Sequence, residues 1–265
     1  MNFKSPKKRT DTQIKKFFKQ KFKNKFLKEI FLFSVPKDLG INEKMVPRLT
    51  PYKPQIKDLY RLYEFIVRNK RLCVLEFGCG WSSLIINEAL EHNKKNYGKN
   101  LEKIRQMNKF KHFSIDNDKY FIKKTKKKIS KNNISKFLFS DCNIKLTNNI
   151  LSHEYYNFPN INPDFIYIDG PDIFKIKGKI NNISFNNCPE RIPVASDLLK
   201  IEYQLLPGTI ILFDGRTTNA RFLKDHFKRN WVLKHDKAND QNILFLNEKP
   251  LGKHNLNQLK YYNFI

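Results

Sequence analysis

The sequence predicts an α/β fold built on one mostly parallel sheet of seven strands with helices on both faces. Three observations point there. The apolar run 72–77, with one acid at Glu76, leads into a glycine turn at Gly78, Cys79 and Gly80 and then into the small and apolar residues 82–90, which is the strand, turn and helix order of a parallel sheet. Four further strand-like runs each deliver an aspartate: 111–115 before Asp116, 136–140 before Asp141, 164–168 before Asp169 and 209–213 before Asp214. Open parallel sheets bind ligands along the carboxyl edge, so acids far apart in sequence can converge there. Two last runs, 231–235 and 242–247, bring the strands to seven.

The other elements follow from periodicity. Residues 1–13 are a polar, basic tail. Ile14, Phe18, Phe22, Phe26 and Ile30 recur every four residues, widened by Phe17, Leu27 and Phe31, so 14–33 reads as an amphipathic helix with lysines over the remaining surface. Such a helix packs on the main body, mediates a homodimer, or lies on an anionic membrane surface. Pro36, Gly40, Pro47, Pro51 and Pro54 make 35–54 an irregular arm. A helix over 55–69 buries Ile56, Leu59, Tyr60, Tyr63, Phe65 and Ile66. The chain therefore divides into a basic helical extension and proline-containing arm, 1–54, and a main domain, 55–265. Within the latter, 93–109 is a long polar connection, 118–131 a lysine-rich helix, and 173–193 an excursion above the sheet. Helices over 195–206 and 219–227 flank a Pro207-Gly208 turn.

Composition bounds the possibilities. A chain of 265 residues, 40% hydrophobic, can bury a substantial core. Four cysteines form neither a CxxC pair nor a zinc pattern, and there is no signal or membrane-spanning run, so a soluble cytoplasmic protein is expected. The net charge of +26 suits a polyanion such as RNA. Lysine, asparagine, isoleucine and phenylalanine are common throughout, however, as an AT-rich coding sequence would give, and no RNA-binding motif accompanies them.

VLEFGCGWSS, followed by Asp116, Asp141, DFIYIDGPD and LLPGTIILFD, resembles the class I S-adenosylmethionine-dependent methyltransferases over about residues 55–250. The resemblance implies a Rossmann-like sheet and S-adenosylmethionine as cofactor. It implies that Glu76, Gly78, Cys79 and Gly80 shape the cofactor pocket, that Asp116 accepts the ribose hydroxyls, and that Asp141 takes the adenine amine beside a backbone N–H of Cys142. NAD is the nearest alternative cofactor, but GxGxxG is incomplete because Ser83 replaces its last glycine.

No DPPY or NPPY marks a nucleobase amino methyltransferase. IDG at 168–170 and ILFDG at 211–215 instead resemble small-molecule O-methyltransferases related to macrolide and aminocoumarin sugar enzymes, in which acids at the fourth and fifth strand ends bind Mg²⁺. Asp169 and Asp214 match two of these, although Gly215 stands where a second adjacent acid is expected. The resemblance thus implies methylation of a small hydroxylated or sugar-like acceptor, with Asp169 and Asp214 at the reacting centre and Mg²⁺ on them. Asp172 follows the fourth strand closely enough to join that centre, and Lys175, Glu190 and Arg191, on the excursion, are placed to hold an anionic or sugar-like substrate. His153, His226 and His235 read as packing or surface residues. An RNA methyltransferase recruited by basic charge, or a noncatalytic interaction protein that keeps the fold, are the alternatives.

Overall fold

The first sheet strand, β1 (Cys73–Phe77), is buried along its whole length, as an apolar run covered on both faces must be. Its neighbours in the computed structural model are the strands the sequence pattern marks. These are β2 (Lys111–Asp116), β3 (Ser135–Phe139), β6 (Phe165–Ile168), β8 (Ile210–Asp214), β9 (Trp231–Asp236) and β10 (Gln241–Leu246), in the order β3-β2-β1-β6-β8-β10-β9. All pair in parallel except β10, which runs antiparallel to β8 and β9. The seven-stranded, mostly parallel Rossmann-like sheet is therefore present. The structure describes residues 3–22, 55–99, 101–129, 131–186, 188, 190–191 and 194–265.

A second sheet was not anticipated. β4 (Cys142–Thr147) and β5 (Ile150–Tyr155) form a hairpin, and β7 (Ile176–Lys177), inside the excursion, pairs with β4. The hairpin signal was present: Asn148 and Asn149 sit at φ 51° and 61°, the left-handed pair that asparagine tolerates in a two-residue turn.

The helices are α1 (Asp11–Lys21), α2 (Ile56–Arg68), α3 (Trp81–Tyr97), α4 (Lys119–Lys128), α5 (Asp197–Ile201), α6 (Thr217–His226) and α7 (Gly252–Tyr261). Thr10 starts α1 three residues earlier than the apolar stripe suggests, because Thr10 and Gln13 cap each other's backbone N–H. Ile14, Phe18 and Phe22 are buried in one cluster with Tyr60 and Tyr63 of α2, and Phe3 packs on Phe65 and Phe245. Ile14, Phe18 and Phe22 of that stripe are thus used within the chain. The rest of the expected 14–33 helix and the 35–54 arm lie outside the described residues. α3 runs to Tyr97, well into the expected polar connection, and α7 had no sequence expectation. No helix among the described residues is long and apolar enough to cross a membrane.

Candidate active site

Register aligns the site. Ile115, Phe77, Ile168 and Phe213 stand side by side across β2, β1, β6 and β8, so the residues that follow form a row at the carboxyl edge: Asp116, Gly78, Asp169 and Asp214. Gly78 has φ +95° and donates its N–H to Ile115 O at 2.8 Å, a turn that a side chain would strain. Gly170 lies against it, its N–H 2.6 Å from Phe77 O. Gly80 is extended, and a Cβ there would meet nothing within 4 Å, so its backbone is open to an approaching group.

Glu76 is fully buried and accepts from Ser82 Oγ and Ser83 Oγ at 2.5 Å each, with His112 Nε2 at 3.0 Å. It therefore fixes the first turn of α3 beneath the glycine turn, rather than offering an oxygen to a ligand. Asp116 closes β2. It accepts from Asp118 N at 2.7 Å and from the Cys79 thiol and backbone N–H, and burial pushes its pKa up to about 7. A carboxylate so placed gains from further hydroxyl donors. Beside it, Asn117 Oδ1 is buried with no partner, while its Nδ2 donates to Asp172 O.

Several expected residues are engaged elsewhere. Asp141 pairs with Lys177 at 2.8 Å, tying β7 down. Cys142 is buried in β4 with its sulfur 3.3 Å from His153 Nδ1. Asp172 accepts from Phe174 N at 3.0 Å and caps the short 3₁₀ turn Ile173–Lys175. Lys175 pairs with Asp118, and Arg191 donates to Ser184 O. Glu190 lies beside Cys188 in the excursion. His226 Nδ1 donates to Phe222 O of its own helix, as a surface helix residue would.

Asp169 and Asp214 do converge. Asp214 accepts from Tyr167 Oη at 2.9 Å. Surrounding protein pushes the Asp169 pKa up to about 6, with Arg216 pulling it down and Asp214 and Glu76 pulling it up. Asp169 is nevertheless exposed, so solvent moderates the shift.

Two further residues join the row that no motif marked. Arg216 Nη2 donates to Asp169 O at 2.5 Å and to Pro171 O at 3.3 Å, bridging the two strand-end loops. Asp58, in the first turn of α2, has its pKa raised to about 7 by burial, then by Asp214, with Asp169 and Asp240 adding and Arg61 opposing. A lone acid in a predicted helix carries no sequence signal for this. Only Gly215-Arg216, in place of the second acid expected after Asp214, hinted at a cation here.

The acids have a consequence for stability. Asp116 and Asp197 are both buried and raised from 3.8 to about 7. Their folded form holds protons that the unfolded chain releases above 3.8, so stability falls as pH rises between about 4 and 7 and then levels off. The melting temperature by differential scanning fluorimetry should be higher at pH 5 than at pH 8. Asp116→Asn should reduce that difference; a rise toward pH 8 would contradict the assignment.

The sheet order and this strand-end row give the chain a class I methyltransferase-like fold. Among the solved structures that resemble it are the S-adenosylhomocysteine-bound methyltransferase PaMTH1 of Podospora anserina and the O-methyltransferase TomG of Streptomyces achromogenes, involved in tomaymycin synthesis, with S-adenosylmethionine. The first is 12% identical with a TM-score of 0.44, over 74% of this chain and 80% of that one. The second is 9% identical with a TM-score of 0.40, over 74% of this chain and 82% of that one. No family model and no curated protein matches the sequence.

Proposed function

We propose that this protein is an S-adenosylmethionine-dependent methyltransferase acting on a hydroxyl of a small, sugar-like acceptor. The observation that supports it is the row itself: a glycine turn with open backbone at Gly80, a buried acid at the next strand end, and an accessible carboxylate, Asp169, on the other side.

S-adenosylmethionine supplies a methyl group already activated on a sulfonium. In this reading Gly78 and Gly80 admit its amino-acid portion, Asp116 accepts its ribose hydroxyls, and Asn117 Oδ1, unpartnered, takes the adenine amine in place of Asp141. Asp169 orients the acceptor hydroxyl and receives its proton, a task suited to a pKa of about 6. Asp214, held by Tyr167, fixes the electrostatics beside it. Holding the acceptor in line with the methyl supplies much of the rate.

The donor set does not fit Mg²⁺. The cation wants several oxygen ligands in near-octahedral order, whereas the Arg216 guanidinium stands beside Asp169 and Tyr167 takes a lone pair of Asp214. Among the described residues no three His, Cys, Asp or Glu side chains form a metal group.

A specific feature favours an RNA acceptor as second reading. α4 carries six lysines and no acid in ten residues, with Tyr120 45% and Phe139 37% exposed beside it. Lysines with exposed rings suit phosphates and stacked bases. A basic cleft of about 510 Å³, lined by Lys7, Lys8, Arg9 and Lys16, adds to this.

One experiment separates the readings: a labelled-methyl screen over sugars, small hydroxylated metabolites and total RNA, with and without a chelator. Label in a sugar or metabolite, unaffected by chelation, is expected. Label in RNA alone would replace the acceptor, and restoration by Mg²⁺ after chelation would restore the metal. Asp116→Ala should weaken S-adenosylhomocysteine binding by about one to two decades in calorimetry. No binding by the wild type would leave a noncatalytic protein with this fold.

A further inference from the structure

We propose that the inner face of the small sheet, at His153, Tyr155 and Asp197, is a subsite that binds hydroxyl groups of a neutral, sugar-like acceptor; it rests on the acceptor reading above.

The register of the hairpin places Cys142 opposite Tyr155 and Ile144 opposite His153, and the two-residue period of a strand puts Cys142, His153 and Tyr155 on one face. That face looks toward the carboxyl edge: the Tyr155 ring lies 5.8 Å from that of Phe77, the last residue of β1. The chain entering α5 runs alongside β5, with His153 N donating to Val194 O and Ser196 N donating to His153 O. This brings in Asp197, whose Oδ1 accepts from Tyr155 N at 2.9 Å. The Arg216 charge acts on Cys142, His153 and Tyr155 while its Nη2 donates to Asp169 O, which ties this face to the strand-end row.

The three side chains are 0%, 2% and 2% exposed, and each leaves one polar atom without a partner: His153 Nε2, Tyr155 Oη and Asp197 Oδ2. Buried polar atoms are nearly always paired, and an unpaired one costs stability. Three on neighbouring positions are a cost that a bound hydroxylated ring would offset.

Their chemistry selects the ligand. Burial keeps the Tyr155 phenol protonated and lowers the His153 pKa to about 3, so its ring is neutral. Burial also keeps the Cys142 thiol protonated, and with the thiol donating to Nδ1 the other ring nitrogen, Nε2, carries the proton. The subsite then offers two neutral donors and, at Asp197, an acid whose pKa burial raises to about 7 and which accepts as a carboxylate above that pH. A sugar diol, which both donates and accepts, matches all three. A phosphate or carboxylate would face Asp197, and an ammonium group would leave both donors unmet.

The decisive variant is Tyr155→Phe, which removes one oxygen and no packing. It is read in two ways that do not depend on methyl transfer: the melting temperature of the free protein, and saturation-transfer NMR with a panel of mono- and disaccharides in the presence of S-adenosylhomocysteine. The expected result is a melting temperature raised by about 2–4 °C, a sugar signal seen with the wild type and lost in the variant, and S-adenosylhomocysteine affinity unchanged within about twofold. A lowered melting temperature, no sugar signal with the wild type, or an equal signal in the variant overturns the subsite. A fall of about tenfold in S-adenosylhomocysteine affinity assigns the hydroxyl to the cofactor and likewise overturns it. If the wild type binds sugar but methylates nothing, the subsite stands and the methyltransferase reading fails.

Discussion

Arg71→Met is expected to lower the free energy of unfolding by about 3–5 kcal/mol. Arg71 is completely buried at the amino edge of the sheet, on the side away from the candidate site. Its Nη1 donates to Asp164 O at 3.1 Å and Gly208 O at 2.9 Å. The guanidinium lies 4.5 Å from the Tyr262 ring centre and 4.7 Å from that of Phe264, so its unpartnered nitrogens rest against aromatic faces. The Asp164 carboxylate accepts from Leu72 N, Cys73 N and Tyr262 Oη. Burial raises the Asp164 pKa, and Arg71 is the largest influence opposing that rise. Arg71, bound to the Asp164 and Gly208 main-chain carbonyls and acting on the Asp164 carboxylate through space, thus joins the start of β1, the start of β6 and the segment after α7. Removing the cation leaves the Asp164 carboxylate buried without the charge that opposes its desolvation, and the Asp164 and Gly208 carbonyls without their buried donor. Chemical denaturation should show a lower midpoint with an unchanged slope, and S-adenosylhomocysteine affinity should stay as in the wild type. A loss below about 1 kcal/mol would show that the backbone donors and Tyr262 suffice for Asp164.

Gly170→Ala is expected to cost about 3 kcal/mol and to abolish cofactor binding, because overpacking at this point has no side chain to push aside. A Cβ there would lie 2.5 Å from Gly78 N and 2.6 Å from Gly78 Cα, both backbone atoms of the glycine turn. Either β6 or the turn must move, and the turn is what holds Gly80 open beside Asp116. Gly80→Ala is the control. Its backbone is extended and a Cβ meets nothing, so stability should change by less than about 0.5 kcal/mol. The added methyl nevertheless fills the space a ligand would use, so S-adenosylhomocysteine affinity should fall by about tenfold or more. Equal affinity of Gly80→Ala and wild type would move the cofactor away from this turn.

The sequence by itself determined the sheet. Buried strands such as 73–77 and 165–168 must be apolar along their length, and the chain must turn and polarise where they end, so Gly78, Asp116, Asp169 and Asp214 mark the carboxyl edge in the linear pattern. Strand neighbours then follow from short right-handed crossovers, which makes the row of acids readable before any coordinate. Partner choice was not readable. Glu76 and Asp169 are both acids at strand ends, yet one is consumed by Ser82, Ser83 and His112 while the other is exposed, and nothing local distinguishes them. Asp141 meets Lys177 because β7 pairs with β4, and Asp172 turns inward to cap its own loop. Asp58, Arg216, Asp197 and the β5 pair His153 and Tyr155 reach the site region from four separate segments. Their roles depend on long-range packing that leaves no period in the sequence, since a single side chain's burial and partners are set by whichever elements the tertiary fold brings against it.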